Sequence, residues 1–339
     1  MKSTYTIKDI ARELNLSTST VSRAINDHHS ISKETKERVN ALVAKLDFRI
    51  NTLARNLRSQ KSHIIGLIVP KISMYYQAAV ITAIQHKLQA FGYPLMIFQT
   101  NESPELEKEL VDVLYTSRVG GLIISATLYT DDFAAFDVFA KGGIPLVFYD
   151  RVPKNYPVHK IKSDEYQGGF QATLHLLEQG CRRIAIISGN LSCKIYQDRY
   201  WGYQAALEQY GLPLDQRLVY AHELTEENAL QDFARMFALE SPPDGIFACN
   251  DTTAIAVVAA AKKNQIPIPA RLKVIGYSND PRTEIIEPAI TSVEQFPQEV
   301  GEQAATLMVN LISQKIKPGK SFVSRTTPIQ LIKRTSSGG

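Results

Sequence analysis

The spacing of apolar residues predicts three short helices in the first 50 residues. After Thr6, apolar side chains recur at helical spacing to about Leu14, which predicts a first helix. Ser17 is a suitable N-cap for a second helix that ends near Asn26, and Ser32 is a suitable N-cap for a third. Two short helices joined by a tight turn, with a third helix packed behind them, form a helix-turn-helix.

The second of these helices separates apolar from polar residues. One face is apolar, and the opposite face carries Thr18, Ser19, Ser22 and Arg23. Short hydroxyl groups can bind bases or phosphates, and the forked guanidinium of Arg23 can bind O6 and N7 of a guanine. The alternative is a three-helix bundle whose hydroxyl groups only cap helices and face water. The spacing favours binding to nucleic acid over this alternative.

From residue 62 onward, continuous apolar runs alternate with helical segments in two successive series. Such runs are typical of buried parallel strands, and two series predict two doubly wound α/β lobes. We expect lobe 1 at about 62–161 plus 292–322, and lobe 2 at about 162–291 plus 323–339. Ligands of such sheets bind beyond the carboxyl ends of the strands, so a cleft between the lobes is the expected site. The predicted strands are 63–69, 94–98, 121–125, 144–149, 183–188, 218–220, 245–248 and 273–277.

The net charge of residues 1–61 differs from that of the rest of the chain. The 339 residues carry a net charge of +4, but residues 1–61 hold 12 basic and 6 acidic residues. The remaining residues hold 26 basic and 28 acidic residues, so the whole basic excess lies in the first fifth of the chain. This asymmetry indicates a small module that approaches nucleic acid, although a solvated basic arm would give the same charge.

Several classes of protein are disfavoured by composition. An apolar content of 44% is that of a folded protein, and no apolar run approaches the roughly 18–20 residues that cross a bilayer. The first residues lack the apolar core of a signal peptide. The three cysteines, Cys181, Cys193 and Cys249, form no CxxC pair, which favours a reducing compartment. We therefore expect a cytoplasmic protein that does not bind membranes.

Motifs of the common α/β enzymes are missing from the sequence. No strand is followed by GxGxxG, and no Walker loop, GxSxG elbow or HExxH motif occurs. The seven histidines show no spacing typical of metal ligands. We therefore expect no enzymatic activity, no catalytic residues, no cofactor and no metal site.

Polar residues recur where predicted strands end. Taken singly, each pair is more typical of a helix cap or a loop than of a ligand contact. Four such groups at one topological position indicate a ligand site. Carboxylates, an amide and guanidinium groups beside aromatic surface suit a polyhydroxylated ligand, because each sugar hydroxyl both donates and accepts hydrogen bonds. The groups are Asp150-Arg151, Asp198-Arg199 before the helix that holds Trp201, Asn250-Asp251 and Ser278-Asn279-Asp280.

Two motifs near the N-terminus are similar to the DNA-binding headpiece of the LacI/GalR (lactose-repressor) family of transcriptional regulators. They are Thr6-Ile7-Lys8-Asp9-Ile10-Ala11 and Ser17-Thr18-Ser19-Thr20-Val21-Ser22-Arg23-Ala24-Ile25-Asn26. The resemblance continues in order and spacing through nearly the whole chain. It implies base contacts from Thr18, Ser19 and Arg23, and it adds Thr6 to the DNA-binding residues. It assigns Thr20, Ser22 and Asn26 mainly to phosphates.

The segment 51–61 joins the headpiece (residues 1–50) to the lobes. Asn51 could cap a helix of fewer than two turns, which is too short to be stable alone in water. Leu53 and Leu57 share one face, and this pattern alone favours an amphipathic linker packed on a neighbouring domain. The family resemblance implies instead a hinge helix that pairs with that of a second subunit in the minor groove. Leu57 then matches the residue wedged between bases, and Leu53 and Ala54 match the helix–helix contact.

The body, residues 62–339, resembles a type I periplasmic-binding-protein-like sensor domain. Family members contact effectors at positions that match Asp150, Arg199, Asn250 and Asp251, and also at Tyr76 and Gln77 on the loop after the first strand. Ser278 replaces an aspartate that is common in relatives. Cys193 and Ile195 cannot form the bonds that hold a purine in the purine-repressor branch, so a purine effector is less favoured than a sugar.

These observations favour a homodimeric transcription regulator, a repressor of a carbohydrate-utilisation operon. It would bind a palindromic operator in double-stranded DNA and respond to a sugar or sugar phosphate in the cleft. A sugar-binding or transport-type protein with the same body is the alternative, and the headpiece argues against it. An α/β enzyme fused to a DNA-binding domain is disfavoured by the missing motifs.

Overall fold

A computed structural model describes residues 5–25, 27–46, 63–316 and 321–338. The chain forms two compact units, which contain residues 1–61 and 62–339. In the described residues, no helix is both long enough and apolar enough to span a membrane.

In its described residues, the first unit contains three helices that begin at polar caps. They are α1 (Ile7–Glu13), α2 (Thr18–Ile25) and α3 (Lys33–Lys45). The hydroxyl of Ser17 accepts a hydrogen bond from the amide of Thr20 at 3.0 Å, and that of Ser32 accepts one from the amide of Thr35 at 3.3 Å. Both bonds satisfy amides that the first turn of a helix leaves without an intrahelical acceptor.

One apolar core joins the three helices of this unit. Ile10 of α1, Val21 of α2 and Val39 of α3 are fully buried, with Ala24 and Leu42 beside them. In α1 and α2, the buried residues lie on the apolar faces that the sequence predicted. Their packing leaves the polar face of α2 toward solvent. The helical part of the fold prediction is thus confirmed.

The described residues of the second unit form two six-stranded sheets, each flanked by helices. The first sheet has the order β11-β5-β4-β3-β1-β2 and is parallel throughout. The second has the order β12-β10-β9-β8-β6-β7 and is parallel except for the β10/β12 pair. The strands are β1 (Ile65–Val69), β2 (Leu95–Gln99), β3 (Gly121–Ile124), β4 (Leu146–Tyr149), β5 (His159–Ser163), β6 (Ile184–Ser188), β7 (Val219–Ala221), β8 (Gly245–Ala248), β9 (Lys273–Tyr277), β10 (Thr291–Glu294), β11 (Ser324–Thr327) and β12 (Gln330–Ile332).

Helices pack on both faces of each sheet, as in other doubly wound folds. They are α4 (Tyr75–Ala90), α5 (Pro104–Thr116), α6 (Asp137–Lys141), α7 (Glu165–Glu178), α8 (Lys194–Gln209), α9 (Glu226–Phe237), α10 (Asp251–Lys263), α11 (Arg282–Ile285) and α12 (Pro297–Ile312). We call the first sheet with its helices lobe 1 and the second sheet with its helices lobe 2. The two-lobed α/β prediction is confirmed.

The predicted boundaries between the lobes are wrong near the C-terminus. Strand β10 was expected mostly in lobe 1, but it pairs with β9 in lobe 2. Strand β11 was expected in lobe 2, but it pairs with β5 in lobe 1. Neither strand contains a continuous apolar run, and β11 is mostly exposed, so hydrophobic patterning does not mark them. The chain therefore crosses between the lobes after β5, after β10 and between β11 and β12.

Two glycines let helices α7 and α8 pack backbone against backbone. A Cβ atom at Gly169 would lie 2.1 Å from the carbonyl oxygen of Arg199, and one at Gly202 would lie 2.2 Å from that of Tyr166. No side chain fits in either space. This close approach fixes Arg199 on α8 against the start of α7, where Glu165 lies.

Candidate functional site

Helix α2 presents the polar face that the sequence predicted for DNA contacts. Thr18, Ser19 and Arg23 are exposed, while Thr20 and Ser22 are half-buried. The hydroxyl of Ser17 bonds to that of Ser19 at 2.7 Å and to that of Thr20 at 2.8 Å. These bonds orient two of the predicted contact residues at the start of α2, the end of a helix that reaches base edges in helix-turn-helix proteins.

Thr6 has a clear structural role at the start of α1. Its amide donates to Asp9 Oδ2 at 2.9 Å and its hydroxyl donates to the same atom at 2.6 Å. The hydroxyl bond is the main cause that lowers the pKa of Asp9. The remaining predicted DNA-binding residues lie outside the described part of the chain, so their roles stay predictions: Asn26, Asn51, Leu53, Ala54 and Leu57.

A cavity of about 220 Å³, here called the inner cavity, lies between the lobes of the second unit. Four predicted effector residues line it: Tyr76, Asn250, Asp251 and Ser278. The other three, Gln77, Asp150 and Arg199, are buried and do not line this cavity. Lobe 1 also contributes Lys71, Tyr75, Glu102, Leu128 and Arg151, and lobe 2 contributes Tyr196, Glu223, Leu224, Tyr277, Asp280 and Arg282.

Two local placements differ from the sequence expectation. Tyr76 and Gln77 were expected on a loop, but they lie in the first turn of α4, which begins at Tyr75. Asp198 and Arg199 were expected before a helix, but they lie inside α8. In both cases the loop between the strand and the helix is shorter than we expected from the polar residues in the sequence. The helix therefore directs these side chains, and it fixes them more rigidly than a loop would.

Asp150 belongs to a buried polar network at the end of β4. Its Oδ2 accepts hydrogen bonds from Gln77 Nε2 at 3.0 Å and from the hydroxyl of Ser125 at 3.3 Å. The hydroxyl of Tyr149 donates to Gln77 Oε1 at 2.6 Å. Burial is the main cause that raises the pKa of Asp150 to about 6. The network holds a carboxyl group with an unusually high proton affinity behind the cleft.

Arg199 forms a buried ion pair with Glu165. Its Nε donates to Glu165 Oε2 at 2.6 Å, and one terminal nitrogen donates to the carbonyl oxygen of Cys249 at 2.7 Å. The guanidinium carbon lies 3.6 Å from the centroid of the Tyr277 ring, and the Tyr277 hydroxyl donates to the same carboxylate at 2.8 Å. All of these partners are residues of the protein itself. Arg199 therefore holds Glu165 and Tyr277 in place at the floor of the cleft.

Asn250 and Asp251 serve the start of α10 as well as lining the cavity. Asn250 Oδ1 accepts from the amide of Thr253 at 2.8 Å, which makes Asn250 the N-cap. Asp251 accepts from the amide of Asp280 at 2.7 Å and from the hydroxyl of Ser292 at 2.7 Å. Burial is the main cause that raises the pKa of Asp251 to about 7. Asn250 therefore both caps α10 and lines the cavity, whereas Asp251 lines the cavity and binds Asp280 and Ser292.

Ser278 connects the cavity to the segments where the chain crosses between lobes. Its hydroxyl donates to Gln295 Oε1 at 2.9 Å, and Gln295 Nε2 donates to Glu165 Oε1 at 2.9 Å. Gln295 follows β10 and Glu165 begins α7, so each lies at a crossover. A ligand that moves Ser278 therefore acts directly on the residues that join the lobes.

The structure adds charged residues to the seven predicted effector residues. Arg151 donates to both carboxylate oxygens of Glu102 at 2.8 Å, and both side chains are buried. Lys71 of lobe 1 forms an ion pair with Glu223 of lobe 2. Asp280 lies two residues beyond Ser278 and supplies a carboxylate to the cavity lining. Arg151 and Asp280 belong to the polar groups at strand ends that the sequence indicated, whereas no pattern marked Glu102, Lys71 or Glu223.

In the part of the chain that the structure describes, metal-ligating side chains do not assemble into a site. Within the described ranges, no group of three or more histidine, cysteine, aspartate or glutamate side chains could hold a metal ion. The three cysteines are buried and not disulfide-bonded.

Comparison with known proteins finds a matching family for each of the two units. Residues 6–51 match the family of bacterial regulatory proteins, lacI family, and residues 173–337 match the periplasmic binding protein-like domain. An HTH-type transcriptional repressor PurR of Histophilus somni (strain 2336) is 30% identical over 316 residues, which cover 92% of this chain and 93% of the relative. One from Actinobacillus pleuropneumoniae serotype 5b (strain L20) is 28% identical, with 93% and 92% covered.

Solved structures show the same architecture. The lac repressor dimer bound to operator and the anti-inducer ONPF aligns with a TM-score of 0.86 and 23% identity, covering 98% of this chain and 99% of that one. A periplasmic binding protein/LacI transcriptional regulator from Alkaliphilus metalliredigens, complexed with D-xylulofuranose, aligns with a TM-score of 0.69 and 28% identity, covering 81% and 99%. The helix-turn-helix unit, the two-lobed body and these relatives together show that the chain belongs to the lacI family of DNA-binding bacterial transcription regulators.

Proposed function

We propose that the protein is a cytoplasmic repressor of a carbohydrate-utilisation operon. It binds a palindromic operator as a homodimer, and a sugar in the cleft between its lobes controls that binding. Two identical helix-turn-helix units require two half-sites related by two-fold symmetry. A sugar-binding or transport-type protein would have no use for the exposed hydroxyl and arginine face of α2.

The observation that carries the regulatory function is the polar face of α2. Thr18, Ser19 and Arg23 are exposed on a helix whose opposite face is anchored by Val21 and Ala24 in the core. A rigid helix with short hydroxyl groups and one arginine at its surface can bind phosphates and base edges simultaneously. The relatives that match most of this chain are named as transcriptional repressors, which supports repression.

Polar groups of the inner cavity support a sugar as effector. Asn250, Asp251, Ser278 and Asp280 converge there beside the aromatic rings of Tyr75 and Tyr76. Amide, hydroxyl and carboxylate groups beside aromatic surface match the alternating hydroxyl groups and C–H faces of a sugar.

A purine is the competing effector, because the relatives at 28–30% identity carry the name PurR. Cys193 and Ile195 argue against it. Both are buried in an apolar cluster of lobe 2, where they offer no strong hydrogen-bonding group to a base. The related regulator from Alkaliphilus metalliredigens is complexed with a sugar, D-xylulofuranose.

Coupling between cleft and DNA would act through the positions of the two lobes. The ion pair of Lys71 with Glu223 joins the lobes, and the Gln295–Glu165 hydrogen bond joins two of the segments where the chain crosses between them. A ligand that contacts both walls changes the balance between open and closed forms. In the family, the hinge that includes Leu57 would transmit this change, and its role stays a prediction.

The test is operator binding by the full chain in the presence of candidate effectors. Selection from random duplexes should give a palindromic site, and fluorescence anisotropy should then give an affinity in the nanomolar range that weakens steeply with salt. Addition of a sugar should shift that affinity at least tenfold, whereas adenine, guanine and hypoxanthine should not. A non-palindromic selected site would refute the dimeric operator. A response to a purine base alone would refute the sugar effector.

A further inference from the structure

A second and larger cavity, here called the outer cavity, lies in the same cleft. Its volume is about 540 Å³, and residues from both lobes line it. Lobe 1 contributes residues of the segments 126–137 and 151–156, and lobe 2 contributes Ser192, Cys193, Lys194 and Gln197. The inner cavity, at about 220 Å³, is smaller than the roughly 300–1,000 Å³ typical of ligand sites. The inner cavity alone is therefore an incomplete site.

Leu128 and Arg151 line both cavities, so the two spaces meet at these residues. We propose that the effector is a neutral oligosaccharide of at least two sugar units, with one unit in each cavity and the linkage beside Arg151. This inference rests on the proposed sugar-responsive function and specifies the class of sugar.

Arg151 provides the observation that favours a ligand at the junction. The side chain is 4% exposed, and one terminal nitrogen donates to both oxygens of Glu102. Its Nε is buried and has no hydrogen-bond partner among the described residues. A buried charged donor without an acceptor is costly, so an oxygen of the ligand is the expected partner. Ring, hydroxyl or glycosidic oxygens of a sugar can all accept this bond.

The residues at the junction are held in place by one carboxylate. Glu102 Oε2 also accepts a hydrogen bond from the amide of Leu128 at 2.8 Å. The side chain of Leu128, although part of lobe 1, packs in the apolar cluster of lobe 2 with Cys193 and Tyr196. Glu102 thus positions Arg151 and Leu128 together, which gives the junction a defined shape before any ligand binds.

The outer cavity has the chemistry of a sugar subsite. Tyr129, Phe133 and Tyr156 provide aromatic surface on which the C–H face of a sugar can pack. Thr130, Asp131, Asn155 and Gln197 provide donors and acceptors around that surface. The combination of aromatic surface with amide and carboxylate groups occurs in both cavities, so one ligand made of similar units can occupy both.

Charge in the outer cavity favours a neutral ligand over a phosphorylated one. Asp131, Asp132 and Asp137 oppose Arg151, Lys154 and Lys194 in its lining, which leaves no excess of positive charge. Two of these cations are already paired, Arg151 with Glu102 and Lys194 with Asp198. A phosphate group would meet three carboxylates there without a free cluster of cations to hold it.

The first experiment is isothermal titration calorimetry on the full chain. The probes are maltose, cellobiose, lactose, sucrose, trehalose, melibiose and maltotriose, their component monosaccharides, and glucose 6-phosphate. At least one di- or trisaccharide should bind at least tenfold more tightly than each of its monosaccharides. Equal affinity for a monosaccharide, preference for glucose 6-phosphate, or no binding of any oligosaccharide would overturn the inference.

The second experiment separates the two cavities by mutation. Tyr129→Ala removes an exposed ring from the outer cavity and should weaken oligosaccharide binding about tenfold, without changing monosaccharide binding. Asn155→Ala should act in the same direction. Ser278→Ala, in the inner cavity, should weaken both classes of ligand. Tyr210→Ala is the matched control, because Tyr210 is similarly exposed and lines neither cavity.

The outcomes distinguish this inference from the proposed function. If a monosaccharide alone controls operator binding and Tyr129→Ala has no effect, the oligosaccharide inference fails and the sugar-responsive repressor stands. If no sugar of any length changes operator affinity, the proposed function fails. Circular dichroism of each variant should match the parent protein, and loss of oligosaccharide binding by Tyr210→Ala would overturn the assignment of the outer cavity.

Discussion

Arg199 and Glu165 form an ion pair in which the two side chains are each 4% exposed, with Arg199 Nε 2.6 Å from Glu165 Oε2. The pair joins helix α8 to the start of α7 in lobe 2. Glu165 also accepts hydrogen bonds from Tyr277 and Gln295, so one carboxylate organises the floor of the cleft and one of the crossovers. Removal of the arginine would leave this carboxylate buried without a cation.

Replacement of Arg199 by methionine should therefore lower the free energy of unfolding by about 3–5 kcal/mol. Urea-induced unfolding, followed by the fluorescence of Trp201 on the same helix, measures this change. Arg217→Ala is the control, because Arg217 is 70% exposed in its pair with Asp215 and its loss should produce no measurable change. If Arg199→Met were as stable as the parent protein, the buried pair would not support the fold.

The effector response of Arg199→Met should be lost while any folded protein still binds operator. Arg199 does not line the inner cavity, so this loss would arise from the displaced Glu165, Gln295 and Ser278 rather than from a missing ligand contact. Calorimetry with an effector sugar and anisotropy with operator DNA measure the two properties separately. A retained response would show that the hydrogen bonds from Ser278 through Gln295 to Glu165 do not transmit the signal.

Much of the fold could be predicted from the sequence, because its strongest signals are local. Helix caps at Ser17 and Ser32 and the apolar runs of β1, β6 and β9 depend on neighbouring residues alone. Strand β5 has alternating rather than continuous burial, and β11 is a polar edge strand. These strands are stabilised by pairing with distant segments, which the local pattern does not report.

The candidate site could be predicted only in part, for a related reason. Polar residues at strand ends led to Asn250, Asp251 and Ser278, which line the inner cavity. The partners of a buried polar residue can lie far away in the sequence. For this reason the sequence did not show that Arg199 forms an ion pair with Glu165. Nor did it show that Glu102 holds Arg151, because that contact spans 49 residues and two different loops.

The ion pair of Lys71 with Glu223 should stabilise the closed arrangement of the lobes. The side chains are 35% and 38% exposed, so the pair should contribute only about 0.2–1 kcal/mol. Lys71→Met or Glu223→Gln should therefore weaken effector binding about 1.4- to fivefold, as measured by calorimetry. The exchanged pair Lys71→Glu with Glu223→Lys should recover most of the affinity.

Lys262→Met is the control for this pair, since it removes an exposed lysine at the end of α10, away from both cavities. It should leave effector affinity unchanged. If the exchanged pair bound effector more weakly than either single variant, the two residues would act on the ligand independently and not through each other.

Asp150 should make stability depend on pH in an unusual direction. Burial raises the pKa of this carboxyl group from 3.8 to about 6, so between these values the folded protein holds a proton that the unfolded chain has released. The free energy of unfolding should therefore fall as the pH rises through this window, by up to about 3 kcal/mol from this group. Above about pH 6 the contribution should be constant.

Asp150→Asn isolates this effect, because its amide oxygen can still accept the bonds from Gln77 and Ser125. Asp251 and Glu107, whose pKa values burial raises to about 7, contribute slopes of the same sign in both proteins. The difference in unfolding free energy between the variant and the parent should therefore change between pH 4 and 6. A difference that is constant across this range would contradict the raised pKa of Asp150.

Arg23 should determine base preference in each operator half-site. It is exposed on α2, so Arg23→Ala should leave the headpiece folded while it costs about 1–3 kcal/mol of operator affinity. Preference should relax at one position of each half-site, because a guanidinium binds guanine O6 and N7 in a bidentate manner. Arg12→Ala, on α1, removes another exposed arginine and should weaken all sequences equally. Affinities for a panel of single-base operator variants distinguish the two, and uniform weakening by Arg23→Ala would make Arg23 a phosphate contact.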